Sequence, residues 1–175
     1  MSQSSRRAGL AKTLVIALGI FLLLLGIDQY SKYWAVAHLK NQDAISLIPG
    51  VFELHYLENH GAAWGILSGK MFFLIGISVL VLGLLVYLYT KIPEGRHFWL
   101  LKACFLCIFA GTVGNLLDRV FHQYVIDFLY FKWIDFPVFN VADIYVTLGA
   151  GLLIVALFFV YSEQELSFWK FFREK

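Results

Sequence analysis

Long apolar runs separated by polar connections predict a membrane protein built mainly from α-helices. A helix that crosses the hydrocarbon core of a bilayer needs about 20 mostly apolar residues. Four stretches of the chain meet this requirement, and a short turn with Pro93 joins the second to the third. The predicted spans are residues 14–37, 71–90, 98–117 and 142–161 of one integral-membrane domain, 1–175.

The first long connection, residues 38–70, alternates apolar and polar side chains as a half-buried β-strand does. The apolar positions are Phe52, Leu54 and Tyr56, and the polar positions are Glu53 and His55. We therefore expect a small extracytoplasmic β-sheet at the membrane surface, with aromatic side chains at the level of the lipid headgroups. The second long connection, 118–141, is expected on the same side.

Composition narrows the class of protein. Hydrophobic residues make up 60% of the chain and charged residues 15%, whereas soluble domains average about 25% charged residues. The net charge of +2 and the lack of a basic run with interleaved aromatic residues argue against a nucleic-acid partner. Cys104 and Cys107 lie at helical spacing in an apolar segment, so we interpret them as packing residues.

The first apolar run has some features of a cleaved signal peptide. Arg6 and Arg7 precede it, and the small residues 35–37 follow it. However, the charged and aromatic segment DQYSKYW separates the run from those small residues, and three more spans follow. We therefore expect this segment to stay in the protein as the first span.

The distribution of Lys and Arg predicts the orientation in the membrane. Nine basic and four acidic residues lie in the two tails and in the turn between the second and third spans, a net charge of +5. The opposite side carries five basic and eight acidic residues, a net charge of −3. Both termini are therefore expected in the cytoplasm, and both long connections outside it.

Polar side chains collect at the outer ends of the predicted helices. A carboxylate at the edge of the hydrocarbon core is costly, so such a residue is usually paired or functional. Asp28 and Lys32 are four residues apart on one helical face, a spacing that favours an ion pair. The other members are Asn115, Asp118 and Arg119 at the end of the third span, Asp127 in the segment that follows, and Asn140 and Asp143 at the start of the fourth span.

Two of these acids differ in how easily a structural role explains them. Asp143 alone could be an acid favoured by the helix dipole, with Asn140 as the helix cap. Asp127 fits no such role, because the segment VIDFLYF gives it six apolar neighbours and no adjacent cation. A buried carboxylate without a local partner needs a distant one, and Asp143 is a candidate.

Two facing carboxylates can hydrolyse an amide. Like charges about 3 Å apart cannot both ionise, so the pair shares a proton. The ionised member takes a proton from the attacking water, while the protonated member polarises the carbonyl and assists the leaving amine. This chemistry needs no Ser or Cys nucleophile and no metal. The five histidines lack metal-ligand spacing, and His60 is expected at most at the edge of the site.

Five blocks of residues, in order from Asp28 to Asp143, resemble those of the lipoprotein signal peptidases, or signal peptidase II. The predicted number and orientation of the spans also agree with that family. The blocks are Asp28-Gln29-x-Ser31-Lys32, Asn59-x-Gly61-Ala62-Ala63, Gly114-Asn115-x-x-Asp118-Arg119, Val125-Ile126-Asp127-Phe128 and Phe139-Asn140-x-Ala142-Asp143.

The resemblance implies an aspartic endopeptidase of the bacterial inner membrane that needs no cofactor. Its substrates would be diacylglyceryl-modified prolipoproteins, cut before the lipidated cysteine at the outer face, and its other partner membrane lipid. We expect it to act as a monomer. By position the resemblance implies a catalytic dyad of Asp127 and Asp143 and a supporting layer of Asp28, Lys32 and Asp118. It also implies a substrate-binding set that lines the site and holds the substrate backbone or the dyad, namely Asn59, Gly61, Asn115, Arg119 and Asn140.

Other classes of protein explain the pattern less well. A transporter or channel subunit would place polar residues along the depth of several spans, and the spans here carry little of this kind. A metal-dependent phospholipid enzyme would need more acids at fixed helical spacing than the chain offers. A scaffold would leave Asp127 unexplained.

Overall fold

The computed structural model describes residues 3–61, 67 and 69–169. Some residues used in the predictions lie outside this range. They are Ala62 and Ala63 of the second motif and the basic residues after Trp169, and the side chains of Arg6 and Arg7 are also not described.

Four long helices and a three-stranded sheet make up the described part of the chain. The helices are α1 (Gln3–Leu39), α2 (Met71–Lys91), α3 (Trp99–His122) and α4 (Val141–Val155), which continues as a π-helical turn, Ala156–Val160. The strands are β1 (Ile45–Ile48), β2 (Phe52–Asn59) and β3 (Val125–Tyr130). Short 3-10 turns occupy Arg96–Phe98 and Lys132–Ile134.

All four helices are long and apolar enough to cross a membrane, which confirms the predicted fold class. The candidate spans are Ala11–Leu39, Met71–Lys91, Arg96–His122 and Val141–Val160. The third span continues to His122 instead of ending at residue 117, so the polar residues placed at its outer end are still helical. The side chains of Asn115 and Asp118 have partners in the hydrogen bonds and the ion pair described below, so these polar residues can remain in the helix.

The sheet is antiparallel, with strand order β1-β2-β3. Its first two strands lie in the first long connection, as the alternating pattern predicted. The sequence did not predict the third strand: β3 comes from the second connection and brings Asp127 opposite Leu57 of β2. The sheet therefore joins the two connections, and its third strand carries one of the candidate catalytic acids.

The alternation along β2 is not regular. Phe52, Leu54 and Tyr56 are half-buried and His55 is exposed, as expected, but Glu53 is buried. Lys132 donates a hydrogen bond of 2.8 Å to the Glu53 carboxylate, and the register shifts between Leu54 and Leu57. The contact with Lys132, from the second connection, thus allows the charged side chain of Glu53 to be buried.

Helices α3 and α4 approach closely because small residues lie between them. A Cβ on Gly111 would collide with the carbonyl oxygen of Ala142, and one on Gly114 would collide with the carboxylate of Asp28. Gly is common at such contacts in membranes because it lets backbones approach. These two glycines therefore bring the first turn of α4 next to α3 and to Asp28 of α1.

Candidate active site

A buried ammonium group lies at the base of the polar cluster. Lys32 Nζ is 3.0 Å from Asp28 Oδ2 and 2.9 Å from Asp118 Oδ2, and the three side chains are at most 2% exposed. The same ammonium donates a hydrogen bond of 3.0 Å to Asn115 Oδ1. The ion pair predicted between Asp28 and Lys32 is therefore present, and Asp118 completes it.

Each acid of this lower layer also holds a segment that carries a candidate catalytic acid. Asp28 Oδ1 accepts the backbone N–H of Ala142 at 2.9 Å, one residue before Asp143. Asp118 Oδ2 accepts the backbone N–H of Ile126 at 3.2 Å, one residue before Asp127. The lower layer therefore fixes the start of α4 and the start of β3 relative to each other.

Asp143 lies in the first turn of α4 and forms a capping box with Asn140. The Asn140 side chain accepts the Asp143 N–H at 3.0 Å, and Asp143 Oδ2 accepts the Asn140 N–H at 3.1 Å. Asp143 Oδ1 accepts a third hydrogen bond, of 2.8 Å, from Asn115 Nδ2. The cap interpretation of Asn140 and Asp143 is confirmed, and the Asp143 side chain also reaches the cavity described below.

Asp127 is buried in β3, with only 1% of its surface exposed. Its Oδ1 accepts a hydrogen bond of 2.7 Å from Asn140 Nδ2, and its Oδ2 accepts one of 2.9 Å from Asn59 Nδ2. Burial, together with the nearby charge of Asp143, raises the pKa of Asp127 to about 7, although the amide hydrogen bonds oppose the shift. This carboxyl group can therefore keep a proton near neutral pH.

Lys32 fixes the orientation of the Asn115 and Asn140 amides. An ammonium can only donate, so the oxygen of the Asn115 amide faces Lys32 and its NH₂ group faces Asp143. Asn140 then donates to Asn115 Oδ1 at 3.1 Å as well as to Asp127. With Asn59 and the backbone N–H of Asn140 as further donors, each of the four carboxylate oxygens of the two acids receives a hydrogen bond from the protein.

The two acids open into one cavity of about 460 Å³. Its polar wall contains Asn59, Asn115, Arg119, Asp127 and Asp143. The buried Nε of Arg119 has no hydrogen-bond partner within the described residues. The opposite wall is apolar and is formed by Phe136, Pro137, Val138, Phe139, Ile144, Val146 and Leu148, beside Thr147 and Val125.

The remaining predicted site residues lie beneath or beside this cavity. Asn140 is fully buried between the two acids, and Gly61 N donates a hydrogen bond of 2.9 Å to Asn59 Oδ1, so both support residues of the wall. His60 is exposed, packs against Tyr124 with ring centroids 5.5 Å apart and does not line the cavity.

Sequence reasoning missed two contributions to the site. Gln29 Nε2 donates to Asp28 Oδ2 at 3.1 Å and to Asp118 Oδ1 at 3.3 Å, so it braces the lower layer. Its position between Asp28 and Lys32 was visible, but nothing in the spacing indicated which acids it contacts. The apolar wall was also missed, because its residues have the same types as the residues that face lipid.

Comparison with known proteins identifies the family. The family model described as signal peptidase (SPase) II matches residues 20–159. The chain belongs to the signal peptidase II family. A lipoprotein signal peptidase of Streptococcus thermophilus (strain CNRZ 1066) is 43% identical over 136 residues, which cover 78% of this chain and 88% of the relative. One of Streptococcus pyogenes serotype M6 is 40% identical over the same coverage.

Solved structures agree with this assignment. A bacterial membrane enzyme determined by the in meso method at 1.9 Å resolution superposes with a TM-score of 0.73 at 35% identity, over 83% of this chain and 94% of that one. A second bacterial membrane enzyme, at 2.3 Å resolution, gives a TM-score of 0.71, also at 35% identity, over 81% of this chain and 86% of that one. The chain is a multi-pass membrane protein and an aspartic-type peptidase of the signal peptidase II family, as the five motifs indicated.

Proposed function

We propose that Asp127 and Asp143 are the catalytic dyad with which this peptidase removes signal peptides from prolipoproteins. The observation that carries the assignment is that the buried carboxyl group of Asp127 in β3 and the half-buried carboxyl group of Asp143 in α4 line the same cavity. The raised pKa of Asp127, caused by burial and by the charge of Asp143, supports a pair that keeps one proton near neutral pH.

In the proposed reaction the ionised member of the dyad takes a proton from a water molecule, and this water attacks the carbonyl carbon of the scissile amide. The protonated member hydrogen-bonds the carbonyl oxygen and then transfers its proton to the leaving amine. The fixed donors on both carboxylates support this reaction, because groups that are already oriented need little reorganisation when the charge moves.

Arg119 is proposed to bind the substrate. Asn59, Asn115 and Asn140 use their NH₂ groups to hold the two acids, so their part in substrate binding is to fix the dyad, and Gly61 fixes Asn59. Arg119 differs, because its buried Nε has no partner within the described residues while the side chain lines the cavity. Its guanidinium is therefore suited to donate to a backbone carbonyl of the signal peptide.

The substrates are proposed to be diacylglyceryl-modified prolipoproteins, cut before the lipidated cysteine. Each buried methylene contributes about 0.8 kcal/mol to membrane anchoring, so two acyl chains keep this cysteine at the bilayer surface. Asp143 lies at the start of a span and Asp127 just beyond another, which is the depth at which the bond would be presented.

Cleavage by the purified protein in detergent tests the function. A diacylglyceryl-modified peptide should be cut far faster than the same peptide with an unmodified cysteine, because only the former is held at the depth of the dyad. A chelator should leave the rate unchanged. Equal rates for the two peptides would contradict the proposed role of the lipid, and chelator sensitivity would point to a metal instead of the dyad.

The enzyme is proposed to lie in the bacterial inner membrane with both termini in the cytoplasm and the dyad facing out. The uneven distribution of Lys and Arg supports this orientation. A reporter that is active only in the cytoplasm should work when it is fused after Lys175 and should be silent when inserted near Gln42. Activity of the reporter at Gln42 would reverse the proposed topology.

A further inference from the structure

The half of α1 that lies away from the dyad has an apolar groove on each side. A groove of about 310 Å³ is lined by α1, α2 and α3 and includes Phe21, Leu85 and Phe105. A second groove, of about 520 Å³, lies between α1 and α3 and includes Ile20 and Ala103. Ala17, Tyr89 and Leu106 border both grooves. Since α1 is a membrane span, acyl chains or another helix must fill this space.

The larger groove ends in a polar mouth that ties three elements together. Glu94, in the turn after α2, accepts hydrogen bonds from Thr13 of α1 at 3.0 Å and from Lys102 of α3 at 2.9 Å. This contact neutralises Lys102. Thr13 is 15 positions before Asp28 on α1, so the mouth lies about 22 Å along the helix from the polar cluster of the active site.

The mouth keeps a positive charge after this pairing. Arg96 lines the groove, is exposed, and has no ion pair within the described residues. Lys12 is exposed and precedes Thr13 on α1. Trp99 also lines the groove with 65% of its surface exposed, as is common for Trp at the level of lipid headgroups. The groove therefore has an apolar floor and a cationic, amphipathic mouth.

Charge decides which occupant fits. Lipid tails are as apolar as the side chains of the groove, so an acyl chain gains little there and selectivity must come from the headgroup. A basic side chain near the membrane surface favours an anionic headgroup by about fivefold. We propose that this groove is a binding site for one anionic phospholipid, with an acyl chain along α1 and the phosphate at Arg96 and Lys12.

This site has a consequence for α1, which also carries Asp28 and Lys32. A lipid that binds only the folded protein stabilises it, so an occupied groove supports the part of α1 that packs least against the other helices. Within the described residues, the contacts that hold this half include the Phe21–Phe109 ring pair, with centroids 5.5 Å apart, and the Thr13–Glu94 hydrogen bond.

The test uses the purified, delipidated full chain in a neutral detergent. Phosphatidylglycerol or phosphatidylcholine is added in steps. The Tm is measured at each step, and the bound lipid is counted by native mass spectrometry. Phosphatidylglycerol should raise the Tm at lower concentration than phosphatidylcholine and should bind with a stoichiometry near one. Arg96→Gln should weaken the apparent affinity for phosphatidylglycerol about fivefold. Lys91→Gln is the matched control, because Lys91 is an exposed cation near the same turn that lines neither groove.

A second variant separates the groove from a diffuse effect of charge. Ala103→Leu leaves every charge in place but adds volume to the groove, so it should also weaken phosphatidylglycerol binding. Equal stabilisation by the two lipids, or equal losses in Arg96→Gln and Lys91→Gln, would overturn the proposal. So would a dimer that forms disulfides between two copies of an Ile16→Cys variant, since a second copy of the chain would then occupy the groove.

Discussion

The two ends of the helix bundle hold their charged residues in opposite ways. At the dyad end, Lys32, Asp28 and Asp118 are buried and pair with one another and with backbone groups of two further elements. At the other end, His97 and Glu165 form a hydrogen bond of 2.6 Å with 58% and 38% of their side chains exposed, and Glu94 of the Lys102–Glu94 ion pair is 49% exposed. That end is closed by apolar packing, in which Leu101, Leu166 and Trp169 are buried.

The difference shows what each end requires. Exposed ion pairs contribute about 0–1 kcal/mol to the free energy of unfolding, so the stability of the end with Glu165 depends on its apolar core. A buried ion pair costs desolvation free energy, and apolar residues of similar volume often replace it without loss of stability. Its presence at the dyad end is better explained by position, because Asp28 and Asp118 also fix the backbone beside Asp143 and Asp127.

Removing either member of the dyad gives the largest expected effect. Asp127→Asn or Asp143→Asn should abolish turnover of the diacylglyceryl-modified peptide, because asparagine has the size of aspartate but cannot transfer the proton. The double variant should be little worse than either single variant, since residues that act as a unit are strongly non-additive. Initial rates with protein of verified fold provide the measurement.

Asp135→Asn is the matched control for the dyad variants. Asp135 lies in the same connection as Asp127 but is exposed and accepts a hydrogen bond of 2.6 Å from Tyr130, and asparagine tolerates its backbone φ of 49°. Its activity should stay close to that of the wild type. Substantial turnover by either single dyad variant would exclude the aspartic mechanism for this cavity.

Replacing Lys32 should have the next largest effect, and it acts on stability as well as on rate. Lys32→Met leaves Asp28 and Asp118 buried without their cation, and breaking a buried pair in this way costs about 3–5 kcal/mol. It also removes the donor that orients Asn115 toward Asp143. The Tm in detergent and the cleavage rate should therefore fall together.

Lys102→Met makes the same chemical change at the other end of the molecule. Lys102 pairs with Glu94, whose side chain is 49% exposed, so the loss should stay within about 1 kcal/mol and activity should persist. If the two methionine variants lost equal stability, the contrast between the two ends would be wrong. A Lys32→Met protein with wild-type stability and no activity would indicate instead that Lys32 contacts the reacting groups directly.

Much of this arrangement could be predicted from residue type and spacing. Apolar runs gave the four spans, and the i,i+4 spacing gave the pair of Asp28 and Lys32. The isolation of Asp127 among apolar residues indicated a distant partner. These inferences hold because an unpaired charge is costly in a membrane, so charged residues at this depth are placed where a partner can reach them.

The other features of the fold and the site depend on tertiary contacts between segments far apart in the sequence, which no local sequence pattern indicates. VIDFLYF became β3 because β2 was available to pair with it, and nothing in the segment itself required a strand. Asn115 and Asn140 were expected to hold either the substrate backbone or the dyad, and the sequence could not decide between these roles because the amide orientations follow from Lys32, which is 83 positions from Asn115. The wall with Phe136 and Leu148 could not be separated from lipid-facing residues by type alone.

The smallest expected effect concerns pH and tests the pairing of the two acids directly. The pKa of Asp127 is raised from its ordinary value of 3.8 to about 7, first by burial and then by the charge of Asp143. Activity should decline as the pH rises through about 7, because the dyad then loses its shared proton. Stability should respond as well, since the folded protein keeps a proton that the unfolded chain releases at lower pH.

The sign of the stability effect follows from the direction of this shift. A carboxyl group whose pKa is raised on folding contributes stability that is complete below pH 3.8 and is lost as the pH rises through about 7. Asparagine does not titrate, so the Tm of Asp127→Asn should gain a few degrees on the wild type between pH 5 and pH 8. Asp143→Asn removes the contribution of the neighbouring charge but keeps that of burial, so the Asp127 pKa should fall only partway to 3.8. Parallel Tm curves for the wild type and Asp127→Asn would mean that Asp127 is ionised throughout this range.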